Sequence, residues 1–209
     1  MGADSEHWAD YYKVTVDRPA WGTVRFAIDR FREEDGAGGH ASRFAVDLGC
    51  GAGRDARELL RAGWQVLAVD REPGAEDALH SALESAGEAG LEARLRVEIE
   101  DLATVAIPRC DLVNASLCLP FLAPDAYRGT WDRIVAALVP GSRFAAMLFG
   151  DHDQSASDPL MTCLSPERTR ADLAGFEIEL WSEKEEDSRT ALGEPHHLHL
   201  VEFVARKTA

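Results

Sequence analysis

No apolar stretch in the sequence approaches the ~20 residues that a membrane helix needs, and no compact cluster of lysine and arginine is present. Acidic residues outnumber basic ones by 37 to 22, for a formal charge of −15. A field of that sign repels phosphate backbones and anionic lipid. Nucleic acid and membranes are therefore not expected as partners, and small neutral or cationic molecules fit better. The four cysteines, Cys50, Cys110, Cys118 and Cys163, have no CxxC spacing, which removes the common zinc and dithiol motifs. The opening residues MGADSEHWADYY are polar and acidic and lack the pattern of a signal or transit peptide. The expectation is a cytoplasmic protein, monomer or homodimer, with free thiols. No internal repeat is visible.

What is present is a chain of 209 residues, enough for one sizeable α/β domain. Trp8, Tyr11 and Tyr12 have helical spacing and share a face. A second helical segment follows, with Pro19 near its start and Trp21, Val24, Ile28 and Phe31 as its apolar stripe. The glycine-rich EEDGAGGHAS then separates an N-terminal helical cap, 1–40, from a core, 41–209, within one domain.

From Phe44 onward strands and helices alternate. RFAVDLG, WQVLAVD, EARLRVEIED, RCDLVNASLCL and RFAAMLFG read as five strands. RDARELLRAG, PGAEDALHSALESAG and APDAYRGTWDRIVAALVPGS read as helices between them. DHDQSASDPLMTCLS reads as a loop, and SPERTRADLAG as a helix with Ser165 as N-cap and Pro166 at its first position. FEIELWSEKEE is a sixth strand, and EKEEDSR a solvated turn. HHLHLVEFVARK is a seventh, with His197, His199, Val201 and Phe203 on one face. A turn-rich link joins the last two, so they are expected to pair antiparallel. This alternation implies an open, doubly wound, mostly parallel sheet, with its ligand beyond the carboxyl ends of the strands.

FAVDLGCGAGR, residues 44–54, carries the most chemistry. Glycines at 49, 51 and 53 let a backbone approach a ligand closely, and Asp70 ends the next strand at about the ~20-residue spacing of a ribose-binding carboxylate. That pair suits a nicotinamide dinucleotide and S-adenosylmethionine equally. The details separate them. A dinucleotide loop wants glycine where Arg54 stands, and Asp47 is poor company for a pyrophosphate but apt for an ammonium group. Asp101, after the third strand, offers an acceptor for an adenine amino group.

VDLGCGAGR resembles motif I of the class I S-adenosylmethionine-dependent methyltransferases. VLAVD resembles their second motif, IEDL their third, CDLVNASLCLPFL their fourth-strand segment, and LVPGSRFAAMLFG their fifth, with Gly141 at its turn. The resemblance covers residues 43 to 150. WADYYKVTVDRPAW, FGDHDQSASDP and GEPHHLHLVEFVARK are similar to small bacterial methyltransferases of the tellurite-resistance-like group.

The resemblance implies a Rossmann-like, seven-stranded, mostly parallel sheet with an antiparallel last strand, and S-adenosyl-L-methionine as cofactor. It implies that Asp47, Gly49, Cys50, Gly51 and Gly53 shape the methionine end. Asp70 would bind the ribose, Arg71 would lie beside the adenine, Asp101 and Leu102 would meet the adenine, and Ser116 with Leu117 would line the sulfonium side. It also implies transfer of a methyl group to a small molecule: a chalcogen oxyanion, a thiol or another metabolite. NASLCLPF stands where an amino-methylating enzyme would carry Asn/Asp-Pro-Pro-aromatic. An oxidoreductase using a nicotinamide cofactor, and a protein that binds S-adenosylmethionine without turnover, are the alternatives.

No catalytic residue is diagnostic. His152 is the first candidate for a general base, set against a solvated loop histidine between two aspartates. Tyr11 and Tyr12, with Trp8, either close over the cofactor as a lid or simply dock their helix. Arg18 is a candidate for the cofactor carboxylate, and Arg54 for pairing with Asp47 or Asp70 or for facing solvent. His196, His197 and His199 lack a convincing completing ligand, and no metal is expected.

Overall fold

In the computed structural model, which describes residues 5–36 and 42–208, helices α1 (Ser5–Thr15) and α2 (Gly22–Asp35) precede the sheet. Then come β1 (Phe44–Leu48), α3 (Arg54–Arg61), β2 (Gln65–Asp70), α4 (Gly74–Ser85) and β3 (Leu95–Ile99). The second half holds β4 (Cys110–Ser116), α5 (Pro124–Ala137), β5 (Leu138–Phe149), α6 (Pro166–Asp172), β6 (Phe176–Arg189) and β7 (Pro195–Lys207). Residues 37–41 of the glycine-rich connection, where the cap–core boundary was drawn, lie outside the described residues.

One seven-stranded sheet has the order β3-β2-β1-β4-β5-β7-β6. β7 runs antiparallel to both its neighbours, while the pairs among β1 to β5 are parallel. The strand order reverses between β1 and β4, and side chains alternate across the pleat. Val46, Leu48, Leu67, Val69 and Val113 pack on one face with Tyr127, Trp131 and Ile134 of α5. Ala45, Val66, Ala68 and Leu112 pack on the other, with Val24, Ile28 and Phe31 of α2, Leu59 and Leu60 of α3, and Leu79 and Leu83 of α4. Among the described residues no helix is long and apolar enough to cross a membrane.

α2 is clamped to the sheet by Arg143 of β5, whose side chain is fully buried. Its guanidinium donates to Glu179 at 2.6 and 2.9 Å and to Glu34 at 2.6 and 3.1 Å, and it stacks 4.3 Å from the Phe31 ring centroid.

Three local expectations change. α5 stops at Ala137 and β5 begins at Leu138, rather than a helix running to Pro140. Proline forces the residue before it into an extended conformation, so Val139 leaves the helix and the chain enters the sheet early. EKEEDSR is not a turn: β6 continues to Arg189, paired with β7. Its charged side chains suit an edge strand that must resist further pairing. α2 starts at Gly22, with Trp21 extended as its N-cap, three residues beyond Pro19.

Candidate active site

The carboxyl ends of β1, β2 and β4 meet at the reversal of strand order, where an open α/β sheet leaves a crevice. Two adjoining chambers lie there. Gly49, Gly51, Asp70, Arg71, Asp101, Leu102, Ser116 and Leu117 line the first, with Trp8, Tyr11 and Tyr12 from α1. Asp47, Cys50 and Asp55 line the second, which shares Tyr11, Gly49, Gly51 and Ser116 with the first. A larger groove of about 800 Å³ runs on the far side of Tyr12, between α1 and α4, and takes little from the strand ends.

Gly51 has φ +51°, and a Cβ there would stand 3.1 Å from the Tyr12 ring. Its N–H donates to Asp70 Oδ2 at 2.8 Å. Asp70 Oδ1 accepts from the Glu72 N–H at 3.0 Å and from the Tyr12 hydroxyl at 3.4 Å. Burial pushes the Asp70 carboxyl up, and those backbone bonds oppose the rise. Gly53 lines neither chamber. With φ +76°, it leaves room for Leu79, whose Cδ1 would lie 2.0 Å from an added Cβ. Gly53 thus performs the close helix packing that a dinucleotide loop assigns to its last glycine.

A buried polar chain lies behind the loop. Asn114 Nδ2 donates to Asp47 Oδ1 at 2.7 Å and to Asp55 Oδ2 at 3.0 Å. Asp55 Oδ1 accepts the Trp21 N–H at 2.9 Å, and Ser116 Oγ donates to Asn114 Oδ1 at 3.2 Å. Asp47 Oδ2 is buried with no hydrogen-bond partner. Burial first, and the Asp55 charge second, hold the Asp47 carboxyl well above the usual range. Asp101 caps its own turn by accepting the Ala103 N–H at 2.7 Å. Leu117 has φ +58°, alone among the described non-glycine residues in the left-handed region; strain of that kind gathers at functional sites.

Of the remaining candidates, only Arg54 borders a chamber, the second. His152 lines neither chamber; it is exposed and faces Glu185 of β6 at 3.3 Å, which lifts its pKa. Arg54 meets neither Asp47 nor Asp70, because its guanidinium donates to the Pro19 carbonyl at 2.6 Å and lies 4.1 Å over Trp21. Arg18 is spent on the Val14 carbonyl at 3.2 Å, outside both chambers. His196 pairs with Asp153 at 3.1 Å, and His197 with Asp187 at 2.7 Å. Asp151, His152 and His199 bring one donor atom each within 4.8 Å of one another. His199 Nδ1 there already accepts the His152 N–H at 3.1 Å.

Residues 45–141 match a family profile described as Methyltransferase domain. That span carries Asp47, the glycine loop, Asp70, Asp101 and Ser116 in the arrangement just described. That span is similar to a methyltransferase domain, and the chain has the fold of S-adenosylmethionine-dependent methyltransferases.

In fold, the chain is similar to TehB from Haemophilus influenzae, with a TM-score of 0.72 at 15% identity over 90% of this chain. It spans 62% of that longer chain. A TehB-like S-adenosylmethionine-dependent methyltransferase from Corynebacterium glutamicum has TM-score 0.63 at 19% identity, over 98% of both chains. The 1,6-didemethyltoxoflavin-N1-methyltransferase of Burkholderia thailandensis was solved with 1,6-didemethyltoxoflavin and S-adenosylhomocysteine bound. It has TM-score 0.63 at 25% identity, covering 98% of this chain and 85% of that one. A comparison with curated proteins finds no sequence match.

The residues of the site fit S-adenosylmethionine. The orphaned Asp47 Oδ2 offers an acceptor to an ammonium group, and Asp70 stands at the other chamber with its carboxylate oriented by Gly51 and Glu72. A pyrophosphate does not fit. Its usual place is the N-terminus of the helix after the loop, and Asp55 stands buried in the first turn of α3 with Asp47 behind it. Sequence reasoning passed over Asp55, Asn114, Glu72 and Phe121. A polar Asn114 in the middle of an apolar, doubly covered strand was the available signal for the first two.

Proposed function

We propose that the protein is an S-adenosylmethionine-dependent methyltransferase acting on a small molecule, and that residues 1–209 act as one unit whose helices before β1 cap the site. When bound, the cofactor supplies a methyl group on a sulfonium, a carbon already activated for displacement. The chain's residues bind, orient and exclude water. Asp70 would accept the ribose hydroxyls, and Asp47 with Asn114 behind it would hold the ammonium. Gly49, Cys50 and Gly51 would let the methionine portion lie against the backbone. Asp101, Leu102 and Arg71 would frame the adenine, and Ser116 and Leu117 would border the sulfonium. Gly53 would keep the loop in place from outside. Tyr11 and Tyr12 would close the site from α1.

The observation that carries this reading is the buried, unpartnered Asp47 Oδ2 at one end of a cleft whose other end is the oriented Asp70 carboxylate. The narrowness of a cleft roofed by α1 supports a small acceptor rather than a polymer, as does the acidic charge of −15. All four cysteines are unpaired, which agrees with a reducing cytoplasm. The test is a coupled assay of S-adenosylhomocysteine release over thiols, oxyanions, amines and phenols. Turnover on at least one small acceptor is expected, and turnover confined to protein or nucleic acid would refute the reading.

A further inference from the structure

The acceptor side of the cleft has a chemical character of its own. Trp8, Tyr11, Leu117, Phe121 and Leu122 line it. The Trp8 ring meets Phe121 edge to face at a centroid distance of 5.5 Å, and Tyr11 at 5.6 Å. Phe121 in turn meets Phe149 at 6.1 Å. Phe121 nevertheless keeps 37% of its surface exposed. The Trp8 indole N–H is buried and has no hydrogen-bond partner, a debt of about 1–3 kcal/mol for a polar group removed from water.

The charges in the wall are mostly negative. Asp70, Glu72 and Asp101 line the first chamber against the single cation Arg71, which lies 3.5 Å from Glu72. A compact oxyanion, its charge held on a few oxygens, would meet stronger net repulsion there than a flat anion whose single charge spreads over a ring. The carboxylates of the wall are already engaged, Glu72 with Arg71. Asp70 and Asp101 are occupied by backbone N–H groups, and burial pushes the Cys118 thiol and the Tyr11 hydroxyl up. An acceptor must therefore bring an atom that ionises by itself in water.

From these features we infer that the acceptor is a flat aromatic or heteroaromatic molecule, stacked on the exposed part of Phe121 beside Trp8, with a ring nitrogen or carbonyl oxygen at its edge for the Trp8 N–H and a weakly acidic N–H or O–H as the methylated position. The proton leaves to water before transfer. The lone pair of the ionised nitrogen or oxygen forms the new bond to the methyl carbon as the carbon–sulfur bond breaks, and that bonding pair stays on sulfur. This inference rests on the reading of the site given above, and it departs from the chalcogen oxyanion suggested by resemblance to the tellurite-resistance-like group.

The test uses the full chain labelled with ¹⁵N at tryptophan and loaded with S-adenosylhomocysteine. Lumazine, 7-hydroxycoumarin and 8-hydroxyquinoline are the flat probes; potassium tellurite and 2-mercaptoethanol are the others. The Trp8 indole resonance is identified by its absence from Trp8→Phe, a variant that keeps an aromatic face and loses only the donor. At least one flat probe is expected to move that resonance saturably and to bind about five- to tenfold more weakly to Trp8→Phe, as loss of one hydrogen bond implies. Phe121→Ala should weaken the same probe by a similar factor. Tellurite should leave the resonance in place. The inference is overturned if no flat probe moves it, or if a flat probe binds both variants as tightly as the parent chain. Failure of S-adenosylhomocysteine itself to bind would instead overturn the site reading.

Discussion

The backbone N–H of Gly51 donates to the Asp70 carboxylate across 2.8 Å, which ties the loop after β1 to the end of β2. That bond puts a backbone kink and a carboxylate in one piece before any ligand arrives, and it needs the left-handed conformation of Gly51, φ +51°. A β-branched residue is strained there by roughly 1–2 kcal/mol, and its Cβ would press on the Tyr12 ring at 3.1 Å. Gly51→Val should lower the thermal midpoint by a few degrees while the circular dichroism spectrum stays native. Calorimetry should show S-adenosylhomocysteine affinity reduced at least about tenfold, the equivalent of ~1.4 kcal/mol.

Gly53 should behave differently, because its role is packing. An added Cβ would overlap Leu79 Cδ1 at 2.0 Å, and overpacking of this kind costs about 1–3 kcal/mol. Gly53→Ala should shift the urea midpoint by that amount, and Gly53→Ala with Leu79→Ala should not add the two single losses, since the second removes the obstacle met by the first.

Asp47 gives a pH signature. Its carboxyl is raised, by burial first and by the charge of Asp55 next. A group whose pKa is higher folded than unfolded contributes stability in full below the unfolded value near ~3.9. That contribution is lost as pH rises through the folded value. At neutral pH the ionised form is therefore a burden on the fold. Asp47→Asn keeps an acceptor for Asn114 and removes the charge. It should raise the thermal midpoint at pH 7, give a smaller gain near pH 4, and weaken cofactor binding, a trade of stability against function.

Arg143 carries the opposite lesson. It is fully buried between Glu34 and Glu179, and its loss would leave the Glu179 carboxylate with only the more distant Arg30, at 3.6 Å. Arg143→Met should cost about 3–5 kcal/mol in denaturant unfolding. In the parent chain the Arg143 hydrogen bonds hold Glu34 below the usual carboxylate range. The stability that Glu34 adds is present above its unfolded value near ~4.3 and is lost as pH falls through the lower folded value.

Much of this was legible in the sequence because near-continuous apolar runs mark strands covered on both faces: Val46 and Leu48 point one way, Ala45 the other. Gly49, Gly51 and Asp70 were legible because backbone approach and a carboxylate at a strand end leave few substitutes. Asp55 was not. An aspartate in a first helical turn reads as a complement to the helix dipole, and only the fold brings it to Asn114 on a strand 59 positions away in sequence. His152 was open to two readings, a base near the cleft or a solvated loop histidine, and the length of β6, paired to its end with β7, gives it Glu185 as a partner. That length was hidden because EKEEDSR has the composition of a turn.

The most direct test of the account is calorimetric titration of S-adenosylhomocysteine into the parent chain and into Asp70→Ala, with circular dichroism to establish that the variant is folded. The account predicts one saturable site in the parent chain and affinity lowered by at least about tenfold in the variant, the scale of one charge-assisted hydrogen bond. Equal affinity in the two proteins, or no binding to the parent chain, would contradict it.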